Sequence, residues 1–105
     1  MNSWALRYNA IIDRFSYTVR GQFYGHTHND HMGAHYSVKD PNKLVNYYFV
    51  APSLTTYDDR VPRYRMLDID YDTLQVKDFH QYRLDLRKYQ KKEDNAKFEL
   101  LYSFK

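Results

Sequence analysis

The run "LVNYYFV" at 44–50 constrains the fold more than any other part of the sequence. Apart from Asn46 it is apolar or aromatic throughout, the pattern of a strand covered on both faces. Such a strand needs a layer on each side, and the chain offers little to build them. "SWALRYNAIIDRF" at 3–15 places Trp4, Tyr8, Ile11, Ile12 and Phe15 at helical spacing, with Arg7, Asp13 and Arg14 elsewhere, and Ser3 is positioned to cap it. "AKFELLYSF" at 96–104 reads as a second helix with Phe98, Leu101, Tyr102 and Phe104 inward, cut off at Lys105. One full helix and one truncated helix would leave a large apolar patch on an open sheet. The expectation is therefore a piece of something larger.

The remaining segments are strand-like. "QFY" at 22–24 is a short strand leading into Gly25, and "MGAHYSV" at 32–38 alternates, with Met32, Ala34, Tyr36 and Val38 on one face. "DPNK" at 40–43 is a turn, and "APSLTTYDDRVPR" at 51–63 is a loop with two prolines. "YRMLDIDY" and "VKDFHQYRLDL" read as alternating strands around a "DTLQ" turn, followed by the solvated linker "RKYQKKEDN" at 87–95. The expected fold is α/β: an N-terminal helix, about five mostly antiparallel strands and a truncated C-terminal helix.

Composition narrows the chemistry. The 105 residues contain no cysteine, which removes disulfides and thiolate zinc sites and leaves imidazoles and carboxylates as metal ligands. A net charge of +3, with Lys and Arg dense only in "RKYQKK" at 87–92, argues against nucleic acid as a partner. The 12 tyrosines suit half-buried faces that keep a hydroxyl wet. No apolar run approaches the ~20 residues of a membrane span. "MNSWALRYNAII" lacks the basic-then-apolar pattern of a signal peptide.

Four of the five histidines fall between 26 and 35. In "GHTHND", His26 and His28 follow a strand at a spacing that lets both imidazoles reach one ion or two neighbouring ions, and Gly25 would allow a tight backbone turn. His-x-His alone fits a solvated loop better than a metal site. His31 and His35 offer a self-contained four-histidine site as an alternative, although His35 lies on an alternating strand. "DFH" at 78–80 imitates a metal-binding Asp-x-His but is read as strand.

The block "GQFYGHTHND" resembles the Gly-His-x-His motif of the calcineurin-like metallophosphoesterases. With "SW…Y…I…RF", "APSLTTYDDRVPRYRMLDID", "DFHQYRLDL" and "FELLYSF", the chain is similar, in order and over nearly its whole length, to the acid sphingomyelinase branch. The resemblance implies that 1–86 is the C-terminal part of a metallophosphoesterase catalytic domain, one part of its sandwich, and that 87–105 begins a C-terminal helical region. It makes His26 and His28 ligands in a centre of two divalent ions, expected to be zinc, and Asp30 a support behind the ligands. Tyr57 would line the substrate pocket, its ring facing a choline group. Asp58 and Asp59 depart from the small or apolar residues expected there, which puts headgroup preference in doubt.

The other ligands of such a centre, an early Asp-x-His, a Gly-Asp-x-x-Asp, a Gly-Asn-His and a further His, are not in their places, so they are expected on chain preceding Met1, and this segment alone is expected to be inert. The implied function is phosphodiester hydrolysis, with sphingomyelin as substrate at a membrane lipid surface, in a secreted or lysosomal protein. The alternatives are a sibling acting on nucleotides or other soluble phosphodiesters, and a non-catalytic binding module.

Overall fold

The computed structural model describes residues 2–91 and 95–105. Its elements run in the order α1 (Ser3–Arg14), β1 (Gln22–Tyr24), β2 (His31–Tyr36), β3 (Leu44–Val50), a 3₁₀ turn (Tyr57–Asp59), β4 (Arg63–Ile69), β5 (Val76–Arg83), a 3₁₀ turn (Leu86–Lys88) and β6 (Glu99–Ser103). The fold is α/β, with one helix and two three-stranded, mostly antiparallel sheets.

The first sheet has the order β1-β3-β2. The apolar run at 44–50 is a strand, as expected, and it lies at the centre, with β1 parallel on one side and β2 antiparallel on the other. Its cover is thinner than a fully apolar strand demands: Asn46, Phe49 and Val50 are buried but Tyr47 is half exposed. Gly33 lets the ring of Tyr48, its partner across β2 and β3, lie close over it: a Cβ there would be 2.4 Å from that ring, which would have to move.

Helix α1 packs on β3 through one buried residue, Ile12. Asn2, rather than Ser3, caps it by accepting from the Trp4 N–H at 3.3 Å. At the other end Asp13 accepts from Ser37 Oγ at 2.7 Å and from the Val38 N–H at 3.0 Å, tying the helix to the end of β2. These bonds hold the Asp13 carboxyl below its usual range, the Ser37 hydroxyl contributing most.

The second sheet is the meander β4-β5-β6. The expected hairpin forms around 70–75, where Asp70 Oδ1 accepts the N–H groups of Asp72 and Thr73 at 3.0 and 2.8 Å. The Thr73 N–H first, then the Lys77 ammonium, bring the Asp70 carboxyl down to about 2. The C-terminal segment corrects the sequence reading: no truncated helix forms, and 99–103 is β6, antiparallel to β5, making six strands instead of five. A short apolar run satisfies either periodicity, and the free edge of β5 offers ladder hydrogen bonds that an isolated helical turn lacks. Of the expected linker at 87–95, residues 92–94 lie outside the described residues.

The two sheets meet through side chains. Phe79, 2% exposed, is the hub: its ring lies edge-on to Phe49 of the first sheet at 6.2 Å and against Tyr102 and Phe104 at 5.8 and 5.3 Å. Only Ile12, Phe49, Val50 and Phe79 are buried hydrophobics among the described residues. The radius of gyration is 17.3 Å, against about 13 Å for a compact chain of this length. The apolar faces foreseen as under-covered are open.

Candidate metal centre

Strands β1 and β3 run parallel, so their C-terminal ends, Tyr24 and Val50, emerge side by side. The loop after β1 carries His26 and His28, and the loop after β3 carries Tyr57. The end of parallel strands is where open α/β sheets place their ligand sites.

Both histidines occupy left-handed backbone, His26 at φ 75° and His28 at φ 59°. Asp58 and Asp59 do the same at φ 62° and 55°, so four of the five such non-glycine residues among the described ones sit in these two loops. Each costs on the order of 1–3 kcal/mol, and strain of this kind gathers at functional sites. Gly25 is not the residue that makes the turn: its φ is not positive, and a Cβ there would meet nothing within 4 Å. The histidines themselves take the strained positions.

The loops are clasped together. Arg60 Nη1 donates to the His28 carbonyl at 3.3 Å and to Asn29 Oδ1 at 2.6 Å, while Arg60 Nη2 pairs with Asp58 at 3.4 Å. The ring of Tyr57 meets the His28 imidazole edge to face, 6.2 Å between centroids. The structure thus brings Tyr57 to His28. Tyr57 is 73% exposed, leaving ring surface free.

His26 is exposed and His28 half-buried, and among the described residues neither imidazole makes a hydrogen bond. Their nitrogens are open as donors to a metal. His31 differs: its Nε2 lies 3.4 Å from the Tyr48 hydroxyl.

Asp30 faces the other way. Its carboxylate is bound by Arg65 Nη2 and the Tyr102 hydroxyl, both from the second sheet, and no hydrogen bond joins it to His26 or His28 among the described residues. Arg65 is 5% exposed; it also donates from Nε to Gln81 Oε1 at 3.0 Å and lies 4.2 Å over the Phe79 ring. Burial, then the neighbouring Asp30 carboxylate, raises the Tyr102 phenol above its usual range and keeps it a donor. Asp30 therefore anchors the end of the histidine loop to the second sheet.

Asp78 and His80 are on β5, as read, and with Asp68 of β4 their ligand atoms lie within 4.8 Å of one another. His80 is already engaged by Asp68 at 3.1 Å and by Ser103 at 2.8 Å. Burial pushes Asp78 up, but the N–H groups of Lys105 and Phe79, the neighbouring His80 and the Phe104 N–H together outweigh it, and the carboxyl lies below its usual range.

Sequence reasoning missed Arg60, Arg65 and Tyr102, which assemble the site. Arg60 and Arg65 sat in "DDRVPRYR" as ordinary charges, and Tyr102 was assigned to a helix. The signal was weak: an arginine every few residues becomes meaningful only when the two sheets are placed.

No family model matches the chain. It is 33% identical over 105 residues to sphingomyelin phosphodiesterase A of Dictyostelium discoideum, covering 99% of this chain and 18% of that protein. It is 35% identical over 91 residues to sphingomyelin phosphodiesterase 1 of Caenorhabditis elegans, covering 84% of this chain and 16% of that protein. It is 39% identical over 70 residues to the sphingomyelin phosphodiesterase of Bos taurus, covering 67% of this chain and 11% of that protein. The chain spans less than a fifth of the length of these relatives.

Proposed function

From the premise that this chain is related to the sphingomyelin phosphodiesterases, matching one segment of them, we propose that it supplies part of the metal centre of a phosphodiesterase. The segment is read as the C-terminal part of a metallophosphoesterase catalytic sandwich in a longer secreted or lysosomal protein. The observation that carries this reading is the pair His26 and His28: two imidazoles without hydrogen bonds among the described residues, held on strained backbone beyond the end of β1. Neutral imidazole is a good ligand for zinc and its neighbours.

Bound there, a pair of divalent ions, zinc by preference, would polarise a phosphoryl group and make a water nucleophilic at neutral pH. This chain's residues orient and position. His26 and His28 lend donor nitrogens, and Arg60 fixes the backbone between them and the Tyr57 loop. Tyr57 offers an exposed ring on which a choline headgroup packs by cation–π attraction. Asp30 supports the loop through Arg65. Two imidazoles cannot hold two ions, so the remaining ligands come from elsewhere in the full-length protein.

The substrate is a phosphodiester, with sphingomyelin at a membrane surface favoured by the names of the relatives, and nucleic acid is not among the partners. The test is turnover by the full-length gene product, on sphingomyelin vesicles and on a soluble nucleotide phosphodiester. His26→Ala should cost about a hundredfold or more in rate and 10–100-fold in zinc affinity, with unfolding little changed. Wild-type turnover in that variant would end the assignment, and preference for the nucleotide diester would move the substrate to the soluble class.

A further inference from the structure

The inward face of the second sheet carries more positive charge than its surroundings neutralise. Strand alternation puts Arg63, Arg65 and Leu67 of β4 on one face, opposite Arg83, Gln81 and Phe79 of β5. The bond from Arg65 to Asp30 shows that this face looks toward the first sheet. Arg63 and Arg83 stand directly opposite each other, an arrangement in which like charges repel. Both are half-buried, and among the described residues neither guanidinium has a hydrogen bond or an ion pair.

Two nitrogens make the point sharper. Arg63 Nε and Arg65 Nη1 are fully buried and unbonded, although the Arg65 side chain is only 5% exposed. Among the described residues the acids nearest them are already committed. Asp30 is bound to Arg65 and Tyr102, and Glu99, opposite Arg83 on β6, is held by Lys88 at 2.8 and 2.9 Å. Buried cationic N–H groups without acceptors are costly. Beside them lies a cavity of about 300 Å³ between the sheets, lined by Arg63 and Arg65 on one side and by Phe23, Phe49, Pro52 and Leu54 on the other.

We propose that Arg63 and Arg83, with the free Nη1 of Arg65, form a phosphate-binding site distinct from the histidine pair. Guanidinium forks match phosphate oxygens with paired N–H bonds, and two of them balance the charge of about −2 on a phosphomonoester. The apolar wall leaves room for hydrocarbon attached to that phosphate. The ligand class is a phosphate group, either free and soluble or on the headgroup of an anionic phospholipid. The site needs no metal and does not depend on the hydrolase reading.

The experiment uses the full-length gene product and the Arg63→Gln, Arg83→Gln and double variants. Inorganic phosphate is titrated calorimetrically, and binding is measured to vesicles of phosphatidylcholine with and without phosphatidic acid. Affinity for phosphate, or for the phosphatidic acid vesicles, should fall about tenfold or more in the double variant. Phosphate should raise the wild-type Tm and leave that of the double variant unmoved. Without phosphate the double variant should unfold no lower than wild type, since the repulsion is gone, which separates a lost site from a lost fold. Binding of phosphate alone assigns a soluble ligand; arginine-dependent binding of phosphatidic acid vesicles assigns a headgroup. The proposal is overturned if the wild type binds neither probe, if the double variant binds both unchanged, or if it unfolds markedly earlier without phosphate.

Discussion

The end of the first sheet and the body of the second use the same kinds of residue to opposite effect. At the end of the first sheet, His26, His28, Asp58 and Asp59 hold left-handed backbone, and the two imidazoles are left unbonded among the described residues. In the second sheet, side chains of the same polarity are tied down: Gln81 is 0% exposed, accepts from Arg65 Nε and donates to the Tyr64 carbonyl at 2.9 Å, and His80 is bonded through both nitrogens. Apart from the arginine pair Arg63 and Arg83 and the free Nη1 of Arg65, the second sheet is a platform whose polar groups are spent on structure. The loops of the first sheet are held in strained shapes with their chemistry unspent, which is how a site on a rigid support differs from the support itself.

The largest effect should come from cutting the tie between the two. Arg65→Met leaves the Asp30 carboxylate, 17% exposed, without its cation. Breaking a buried pair from one side costs about 3–5 kcal/mol. Adding Asp30→Asn should recover much of that, because the stranded charge is gone. Chemical denaturation of the two single variants and the double variant measures the coupling. Purely additive losses would mean that the Arg65–Asp30 pair does not couple the two sheets.

The division between platform and loops was partly legible in the sequence. The apolar run at 44–50, the alternation at 64–71 and 76–86 and the turn at 72–75 gave the central strand and the hairpin, because periodicity and turn chemistry are local signals. The 99–103 segment was misread because its apolar positions satisfy two periods, and only the open edge of β5 decides between them. At the site, "GHTH" announced the imidazoles but not the backbone that holds them; Gly25 drew attention as the turn-former while the histidines took that role. Arg60, Arg65 and Tyr102 were illegible for a further reason: each acts on a residue more than 30 positions away.

A smaller effect sharpens the contrast in strain. Leu74, in the turn between β4 and β5, is also left-handed, at φ 58°, and takes part in no proposed chemistry. Leu74→Gly and His26→Gly both remove a strained Cβ, and each should stabilise the fold by about 0.5–1 kcal/mol net of the glycine's added freedom when unfolded. Only His26→Gly should lower zinc affinity in the full-length gene product. Equal effects of the two on zinc affinity would remove the distinction between a strained turn and a strained site.

The smallest difference concerns acid. Asp13 ties the helix to the first sheet, whereas Asp70 and Asp78 belong to the second, and all three carboxyls lie below the usual range because they accept hydrogen bonds when ionised. A carboxyl depressed in the folded state binds fewer protons there than in the unfolded chain. Its contribution is complete above the ordinary carboxylate value, and it is lost as pH falls through the folded value, about 2 for Asp70. Thermal unfolding followed from pH 5 downward should therefore show a falling Tm, and Asp70→Asn should flatten that fall down to about pH 2, whereas Asp13→Asn should flatten only its upper part. The order follows from the bonds: Asp70 gathers two turn N–H groups and Lys77 at 3.1 Å, and Asp13 one hydroxyl and one N–H. If the two variants flatten the same part, the helix and the hairpin yield to acid as one unit, and the second sheet is no firmer a platform than the first.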